Sequence, residues 1–156
     1  MTSKVSPIPA GYHTITPYLI MKDAAGALEF YKKAFNAKEI LRSPMPDGKI
    51  GHAEIMIGNS HLMLADECPE MNMRGAQTFG GSPVMIHLYV EDVDTIFNQA
   101  IKAGAKELRP LADQFYGDRS GCLVDPFQHM WSVSTHIEDV SFEEVMERCK
   151  QTEKYT

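Results

Sequence analysis

Residues 84–109 read VMIHLYVEDVDTIFNQAIKAGAKELR and predict a strand, a helix and a second strand in succession. The run 84–90 is almost wholly apolar and rich in β-formers, which predicts a strand that is buried on both faces or lines a cavity. Asp92 predicts a helix N-cap, because its carboxylate can accept from free backbone N–H groups of the first turn. Gly104 predicts the left-handed C-cap. Between them lies an apolar stripe at helical spacing, formed by Val93, Ile96, Phe97, Ala100 and Ile101.

The same pattern occurs earlier, at residues 16–41, as TPYLIMKDAAGALEFYKKAFNAKEIL. Asp23 lies 69 residues before Asp92, and Asn36 lies 68 residues before Gly104. This period exceeds the roughly 20–50 residues of a solenoid repeat, so it indicates a duplicated half-domain. Two further strand-like runs joined by a turn follow each copy, at 50–57 and 61–65 and again at 120–125 and 130–136. We therefore expect a βαβββ unit twice, over about residues 13–66 and 84–136.

The bulk composition narrows the class of protein. A chain of 156 residues with 44% hydrophobic content suits one domain with a real core. The net charge of −6 argues against a nucleic-acid partner, which would call for a basic surface. Neither an apolar signal segment nor a membrane-spanning run is evident, so we expect a cytoplasmic protein. Ser141 predicts the N-cap of a last helix at about 141–151, and the three cysteines are expected to be reduced structural thiols.

The doubled unit, its Asp-capped helices and the segment DPFQHMW at 125–131 resemble the vicinal oxygen chelate superfamily of glyoxalases, extradiol dioxygenases and bleomycin-resistance proteins. Residues 51–54, 115–119 and 136–140 look like its PhnB-like branch. The resemblance implies an α+β fold, in which two βαβββ repeats form an eight-stranded cupped mixed sheet with helices on the outside. It also implies a single domain over 1–156 and a homodimer.

In this superfamily the metal ligands, typically His or Gln, Glu, His and Glu, lie on the first and last strands of each unit. The resemblance places those positions at Thr16, Met63, Met85 and Ser132, and the 69-residue repeat agrees with that placement. A hard divalent ion prefers carboxylate or imidazole ligands over hydroxyl and thioether groups. We therefore expect that the metal centre is lost and that no cofactor is bound.

Side-chain alternation along a strand places Tyr18, His61 and His87 on the same faces as these positions. The histidines are either ligand-binding groups or hydrogen-bonded core residues, and the methionines either line an adaptable pocket or fill the core. His52 and Glu54 share one strand face, which we interpret as solvated or as a subunit contact. The candidate ligand-binding set is Tyr18, His61, Met63, Met85, His87, Phe115, Tyr116, Arg119 and Ser132.

Three candidates come from the loop after the sixth predicted strand. Phe115 and Tyr116 are adjacent aromatics in a polar, glycine-bounded segment, where they either cap the edge of the fold or form a wall of the ligand site. Arg119 either pins this loop or meets an anionic ligand. The loop at 67–83 is either a lid or a linker between the halves.

Two functions fit this sequence. The first is a metal-free protein that binds an unidentified small molecule in an apolar, Met- and aromatic-rich cup, as bleomycin-resistance proteins do. The second is a metal-dependent lyase, isomerase or dioxygenase with a displaced site that uses His61 and His87. Loss of a stoichiometric metal on mutation of those histidines would favour the enzyme.

Overall fold

The computed structural model describes residues 5–152 and divides the chain into two compact units, the first ending at Ser82 and the second beginning at Pro83. The first unit contains a four-stranded sheet in the order β1-β4-β3-β2. Strands β1 and β4 are parallel, and the other neighbours are antiparallel. The elements are β1 (Tyr18–Met21), helix α1 (Ala24–Phe35), β2 (Lys38–Pro44), β3 (Ile50–Ile57), β4 (Ser60–Asp66) and the short helix α2 (Ala76–Phe79).

The second unit repeats this arrangement, with a sheet in the order β5-β8-β7-β6 and one parallel pair, β5 with β8. It consists of β5 (Met85–Tyr89), α3 (Val93–Ala103), β6 (Lys106–Asp113), β7 (Asp118–Val124), β8 (Met130–His136) and the last helix, α4 (Phe142–Lys150). The predicted α+β class and the doubled βαβββ unit are confirmed. The eight strands belong to two four-stranded sheets, one in each unit.

The caps predicted for the first helix of each unit are present. Asp23 Oδ1 accepts from the N–H of Gly26 at 2.8 Å, and Asp92 Oδ1 accepts from the N–H of Thr95 at 3.0 Å. Asn36 ends α1 and Gly104 ends α3 in the left-handed conformation, with φ of 55° and 119°. Ser141 caps α4 through a bond from the N–H of Glu144. The local sequence therefore fixes where these helices begin and end.

In each unit the longer helix after the first strand, α1 or α3, packs on one face of its own sheet. In the second unit a Cβ at Gly121 would lie only 2.6 Å from the ring of Phe97 on α3, so this close approach requires glycine. Gly121 therefore faces α3, and alternation puts its neighbours Ser120 and Cys122 on the opposite face of β7. In the first unit α1 buries its whole predicted stripe: Ala27, Phe30, Tyr31, Ala34 and Phe35.

Two buried aspartates connect separate elements. Asp66, at the end of β4, accepts from the backbone N–H of Ala24 at 2.8 Å and from that of Ile50 at 2.7 Å. It thereby ties the start of α1 to the start of β3. Asp125 holds the segment DPFQHMW together, because its carboxylate accepts from two backbone N–H groups of the turn and from Trp131 Nε1. Trp131 is buried, as expected for a side chain that faces the helices.

Of the two alternatives for the strand at residues 84–90, burial on both faces is wrong, whereas lining a cavity stays a prediction. Met85 is 44% exposed and Tyr89 is 61% exposed. The physical reason is that the exposed residues 85, 87 and 89 alternate along β5 and so share one face of this edge strand, which lies uncovered within the second unit. Within residues 5–152, no helix is long and apolar enough to cross a membrane. Cys68, Cys122 and Cys149 form no disulfide.

Candidate functional site

The first unit contains a pocket of about 450 Å³. One side is the N-terminal segment 7–14, which lies over the face of the sheet that α1 does not cover. The floor includes Glu54 from β3 and Met63 from β4, which are register partners in the antiparallel pair. The full lining is Pro7, Ile8, Pro9, Tyr12, His13, Thr14, Thr16, Glu54 and Met63.

Glu54 is the carboxyl group of this pocket and is only 6% exposed. The phenol of Tyr12 donates a short hydrogen bond to its Oε2. Its Oε1 lies 3.0 Å from His52 Nε2, and His52 Nδ1 lies 2.8 Å from the Tyr18 hydroxyl. A continuous chain of hydrogen bonds therefore runs from Tyr18 through His52 and Glu54 to Tyr12.

The surroundings of Glu54 favour its charged form. Burial acts to raise the pKa of this carboxyl, but hydrogen bonds from Tyr12 and His52, together with the charges of His52 and His61, bring the pKa below its ordinary value of 4.5. The same hydrogen bond to Glu54, with burial, raises the pKa of Tyr12 above 10. At neutral pH the pocket therefore presents a carboxylate next to a protonated phenol.

His61 is adjacent to both Tyr12 and Glu54 and is 8% exposed. The ring of Tyr12 stacks on it, with centroids 3.9 Å apart and planes inclined by 20°. His61 Nδ1 lies 3.8 Å from Glu54 Oε2 and is buried without a hydrogen-bond partner among residues 5–152. Tyr12 therefore covers both Glu54 and an imidazole nitrogen with unused hydrogen-bonding capacity.

The second unit carries polar side chains on the sheet face opposite α3. Asp118 is 4% exposed and accepts from Tyr89 at 2.8 Å, while His136 Nδ1 also lies 2.8 Å from it. Hydrogen bonds to Asp118 and Asp139 raise the pKa of His136 above 6.5. Arg109 Nη2 donates to Ser120 Oγ at 3.3 Å on the same face.

The structure brings three of the predicted residues together in the first unit. Tyr18 is the register partner of Met63 on the neighbouring parallel strand, and His61 lies two residues earlier on β4. In the second unit His87 and Ser132 are register partners, but His87 lies on the exposed face of β5 with its ring 4.6 Å from that of Tyr89. Tyr18, His61 and Met63 thus belong to the first unit, whereas His87 and Ser132 belong to the second.

The three candidates from the loop have separate environments. Phe115 and Tyr116 are half-buried, with their rings edge to face at 5.2 Å. The Tyr116 hydroxyl lies 3.4 Å from Ser120 Oγ. Arg119 binds both carboxylate oxygens of Asp94 at 2.8 Å and also contacts Asp113 at 3.0 Å, so its guanidinium links α3 to β6. Of the two interpretations of Arg119, these contacts agree with the one in which it fixes the position of the loop.

Sequence reasoning missed the centre of the first-unit pocket. Interpreting Glu54 as part of a solvated strand face is wrong, because segment 7–14 covers it. Tyr12 was not proposed at all, since a Pro-rich N-terminal segment carries no signal that it folds back onto a sheet. One feature of the sequence could have indicated this site. His52 and Glu54 lie two residues apart and so share one face of β3, and β3 pairs with β4, which carries His61 and Met63.

The residues at the superfamily's metal positions supply hydroxyl and thioether groups. Thr16 and Met63 line the pocket of the first unit, whereas Met85 and Ser132 occupy β5 and β8. Hard divalent ions take carboxylate, imidazole or water oxygen instead. Within residues 5–152, no group of three or more His, Cys, Asp and Glu side chains is placed to hold a metal ion. These donors do not fit the superfamily's ligand set, and loss of its metal centre stays a prediction.

Comparison with known proteins agrees with this fold. The model of the Glyoxalase/Bleomycin resistance protein/Dioxygenase superfamily matches residues 12–133. An uncharacterised protein of Mycobacterium bovis is 44% identical over 134 residues, which cover 84% of this chain and 88% of that protein. Among solved structures, TioX from Micromonospora sp. ML1 aligns with a TM-score of 0.65 at 25% identity, over 80% of this chain and 99% of TioX. A PhnB protein from Bacillus cereus aligns with a TM-score of 0.63 at 19% identity, over 79% and 99% of the two chains, and so shares the fold.

Proposed function

The chain belongs to the glyoxalase/bleomycin resistance protein/dioxygenase superfamily, and we propose that it binds a small molecule in the pocket of its first unit without a metal ion. The observation that carries this proposal is the buried carboxyl group of Glu54 on the floor of a pocket of about 450 Å³. Pockets of roughly 300–1,000 Å³ with a few well-placed polar groups suit small ligands.

The charge of the lining indicates the class of ligand. Glu54 is accompanied by no Lys or Arg among the lining residues, so the nearest charge that a ligand meets is negative. Pro7, Ile8, Pro9 and Met63 supply apolar surface around it. We infer that the ligand combines an apolar body with an ammonium or similar cationic group. That group would take the place of the Tyr12 phenol at Glu54, exchanging a neutral donor for a charged one.

A metal-dependent reaction at a displaced site is less well supported. It would need at least three good ligands and an open coordination position. Glu54 and His52 have suitable side chains but are hydrogen-bonded directly to each other. The metal-free interpretation therefore agrees better with the contacts of the side chains that would have to bind the ion.

Calorimetric titration with two matched probes tests the proposal. We expect 2-phenylethylamine to bind the chelator-treated protein more tightly than its neutral analogue 2-phenylethanol. Both probes can donate a hydrogen bond to Glu54, but only the ammonium adds an opposite charge, so we expect a preference of roughly tenfold, or about 1.4 kcal/mol. In Glu54→Gln the preference should disappear. Glu107→Gln, which removes the same charge from an exposed site in the second unit, is the matched control and should retain it.

The possible results separate the parts of this proposal. Equal affinity of the wild-type protein for both probes would retain the pocket and reject the cationic ligand. Binding that requires added Mn²⁺ or Zn²⁺ would instead favour the metal-dependent enzyme. We also propose that the chain belongs to the PhnB-like branch, on the motifs at 51–54, 115–119 and 136–140, and that it forms a homodimer, on the superfamily resemblance. The expected cytoplasmic location remains part of the proposal.

A further inference from the structure

We propose that the second unit carries an anion-binding site centred on Arg109, which takes the carboxylate or phosphate group of a small molecule. The site is formed by Arg109 on β6, Tyr116 in the following loop, Ser120 on β7 and Ser134 on β8. It lies wholly within the second unit and does not depend on the function proposed for the first-unit pocket.

The environment of Arg109 is unusual for this chain. Its Nε is buried without a hydrogen-bond partner among the described residues, and its Nη2 makes a long bond of 3.3 Å to a neutral hydroxyl. By contrast, Arg42, Arg119 and Arg148 each contact carboxylates at 2.7–2.8 Å. Within residues 5–152, no Asp or Glu oxygen lies within 4.0 Å of the Arg109 guanidinium nitrogens. A partly buried cation without a counter-charge is costly, and an anion from outside the chain would remove that cost.

The hydroxyl of Ser120 contacts the guanidinium, and Tyr116 and Ser134 are neighbours of Ser120. Ser120 Oγ lies between Arg109 Nη2 at 3.3 Å and the Tyr116 hydroxyl at 3.4 Å. Ser134 is the register partner of Ser120 on the adjacent strand, and both residues are fully buried. Ser134 Oγ has no hydrogen-bond partner in the part of the chain that the structure describes. Near the weakly bonded Ser120 hydroxyl, therefore, both Arg109 Nε and Ser134 Oγ have no hydrogen-bond partner among residues 5–152.

This combination of donors selects an oxyanion. A guanidinium donates to carboxylate and phosphate oxygens in a fixed fork, and each hydroxyl can rotate to donate to a further oxygen. Asp118 lies on the same face of β7, two residues from Ser120, but it already accepts from Tyr89 and contacts His136. It therefore does not supply the missing charge. Because both bonds to Ser120 are near the long limit for a hydrogen bond, they are weak interactions that an anion can replace.

Half-buried Tyr116 indicates how an anion would enter. Its loop lies between β6 and β7 and ends at Gly117, and its hydroxyl lies 3.4 Å from Ser120 Oγ. We expect that rotation of this half-buried side chain opens a path to the donors of Arg109 and Ser120. Tyr116→Phe removes one hydroxyl donor and keeps the charge of the site. This variant should therefore bind anions more weakly than the wild-type protein.

Side-chain NMR tests the site directly, because the buried Nε–H of Arg109 gives its own ¹H–¹⁵N resonance. Inorganic phosphate and benzoate are titrated separately, with NaCl holding the ionic strength constant. We expect the Arg109 resonance to move saturably with one or both probes. A response to phosphate alone would indicate a phosphorylated ligand, and a response to benzoate alone would indicate a carboxylic acid.

Variants distinguish specific anion binding at Arg109 from nonspecific electrostatic attraction of anions to the protein. Arg109→Gln should abolish saturable binding, and Arg109→Lys should weaken it at least tenfold, because lysine keeps the charge but loses the fork. Ser134→Ala should weaken binding several-fold while raising the unfolding temperature of the free protein. Arg42→Lys, in the first unit, should leave anion binding unchanged. An Arg109 resonance unmoved by both anions, or equal binding by wild type and Arg109→Lys, would overturn the proposal.

Discussion

The two buried serines on neighbouring strands of the second unit provide the sharpest test of the polar contacts described above. Ser120 and Ser134 are register partners and both are fully buried. Ser120 Oγ contacts Arg109 and Tyr116, whereas Ser134 Oγ has no partner among residues 5–152. Replacing each serine by alanine removes one oxygen from the same environment. We therefore expect the two substitutions to change stability in opposite directions.

The expected sizes follow from the hydrogen bonds at each site. A buried polar group without a partner costs about 1–3 kcal/mol, so Ser134→Ala should stabilise the protein by about 1 kcal/mol after the small loss of packing. Ser120→Ala removes two bonds of 3.3 and 3.4 Å. Such long bonds are worth roughly 0.5 kcal/mol each, the lower end of the usual range, so this variant should lose about 1 kcal/mol.

Urea unfolding in a buffer free of phosphate and carboxylate measures both changes. With a dependence of unfolding free energy on urea of about 1–3 kcal/mol per molar, the difference of about 2 kcal/mol should separate the two midpoints by roughly 1 M. The two variants should unfold with the same slope as wild type. Destabilisation by Ser134→Ala equal to that by Ser120→Ala would show that Ser134 Oγ is satisfied in solution, and would refute the reasoning.

Four further outcomes are expected. Gly121→Ala should destabilise the protein by about 1–3 kcal/mol in urea unfolding, because the new methyl group overpacks against Phe97; an unchanged midpoint would show that α3 does not pack so closely. Asp66→Ala should cost about 2–5 kcal/mol, since it leaves two buried backbone N–H groups unpaired, and Asp66→Asn should cost less. The NMR titration of His136 should have its midpoint above pH 6.5, and the midpoint should shift downward in Asp118→Asn. The raised pKa of His136 stabilises the folded protein fully below pH 6.5 and progressively less as pH rises through the folded-state pKa. Asp118→Asn should therefore make the free energy of unfolding depend less on pH in this range. Analytical ultracentrifugation at micromolar concentration should show a homodimer, and a monomer alone would contradict that expectation.

The parts of the fold that local chemistry determines were predictable from sequence. Asp23 and Asp92 cap helices because a carboxylate accepts from the first turn, and Asn36 and Gly104 end them because these residues tolerate the left-handed conformation. The repeat offset of 69 residues then established that both halves form the same unit. These signals need no knowledge of distant contacts.

The centre of the candidate site depends on contacts that the sequence does not encode locally. Glu54 has the sequence pattern of a solvated strand residue, and it is buried because Tyr12, 42 residues away, covers it. Arg109 appears as one more charged residue on an edge strand, and its missing counter-charge is visible only once Ser120 and Ser134 are placed beside it. The burial of β5 was misjudged for a similar reason, since apolar composition does not reveal that a strand lies at a sheet edge.

The central claim, that the first-unit pocket binds a cationic small molecule without a metal, is tested most directly by ¹H–¹⁵N NMR of the chelator-treated protein titrated with 2-phenylethylamine. The account predicts saturable shifts concentrated at the lining of that pocket, above all at Tyr12, Thr16, Glu54 and Met63. It also predicts that those shifts are lost in Glu54→Gln. The claim would be contradicted by shifts that cluster elsewhere, that persist unchanged in Glu54→Gln, or that arise only after a divalent metal is added.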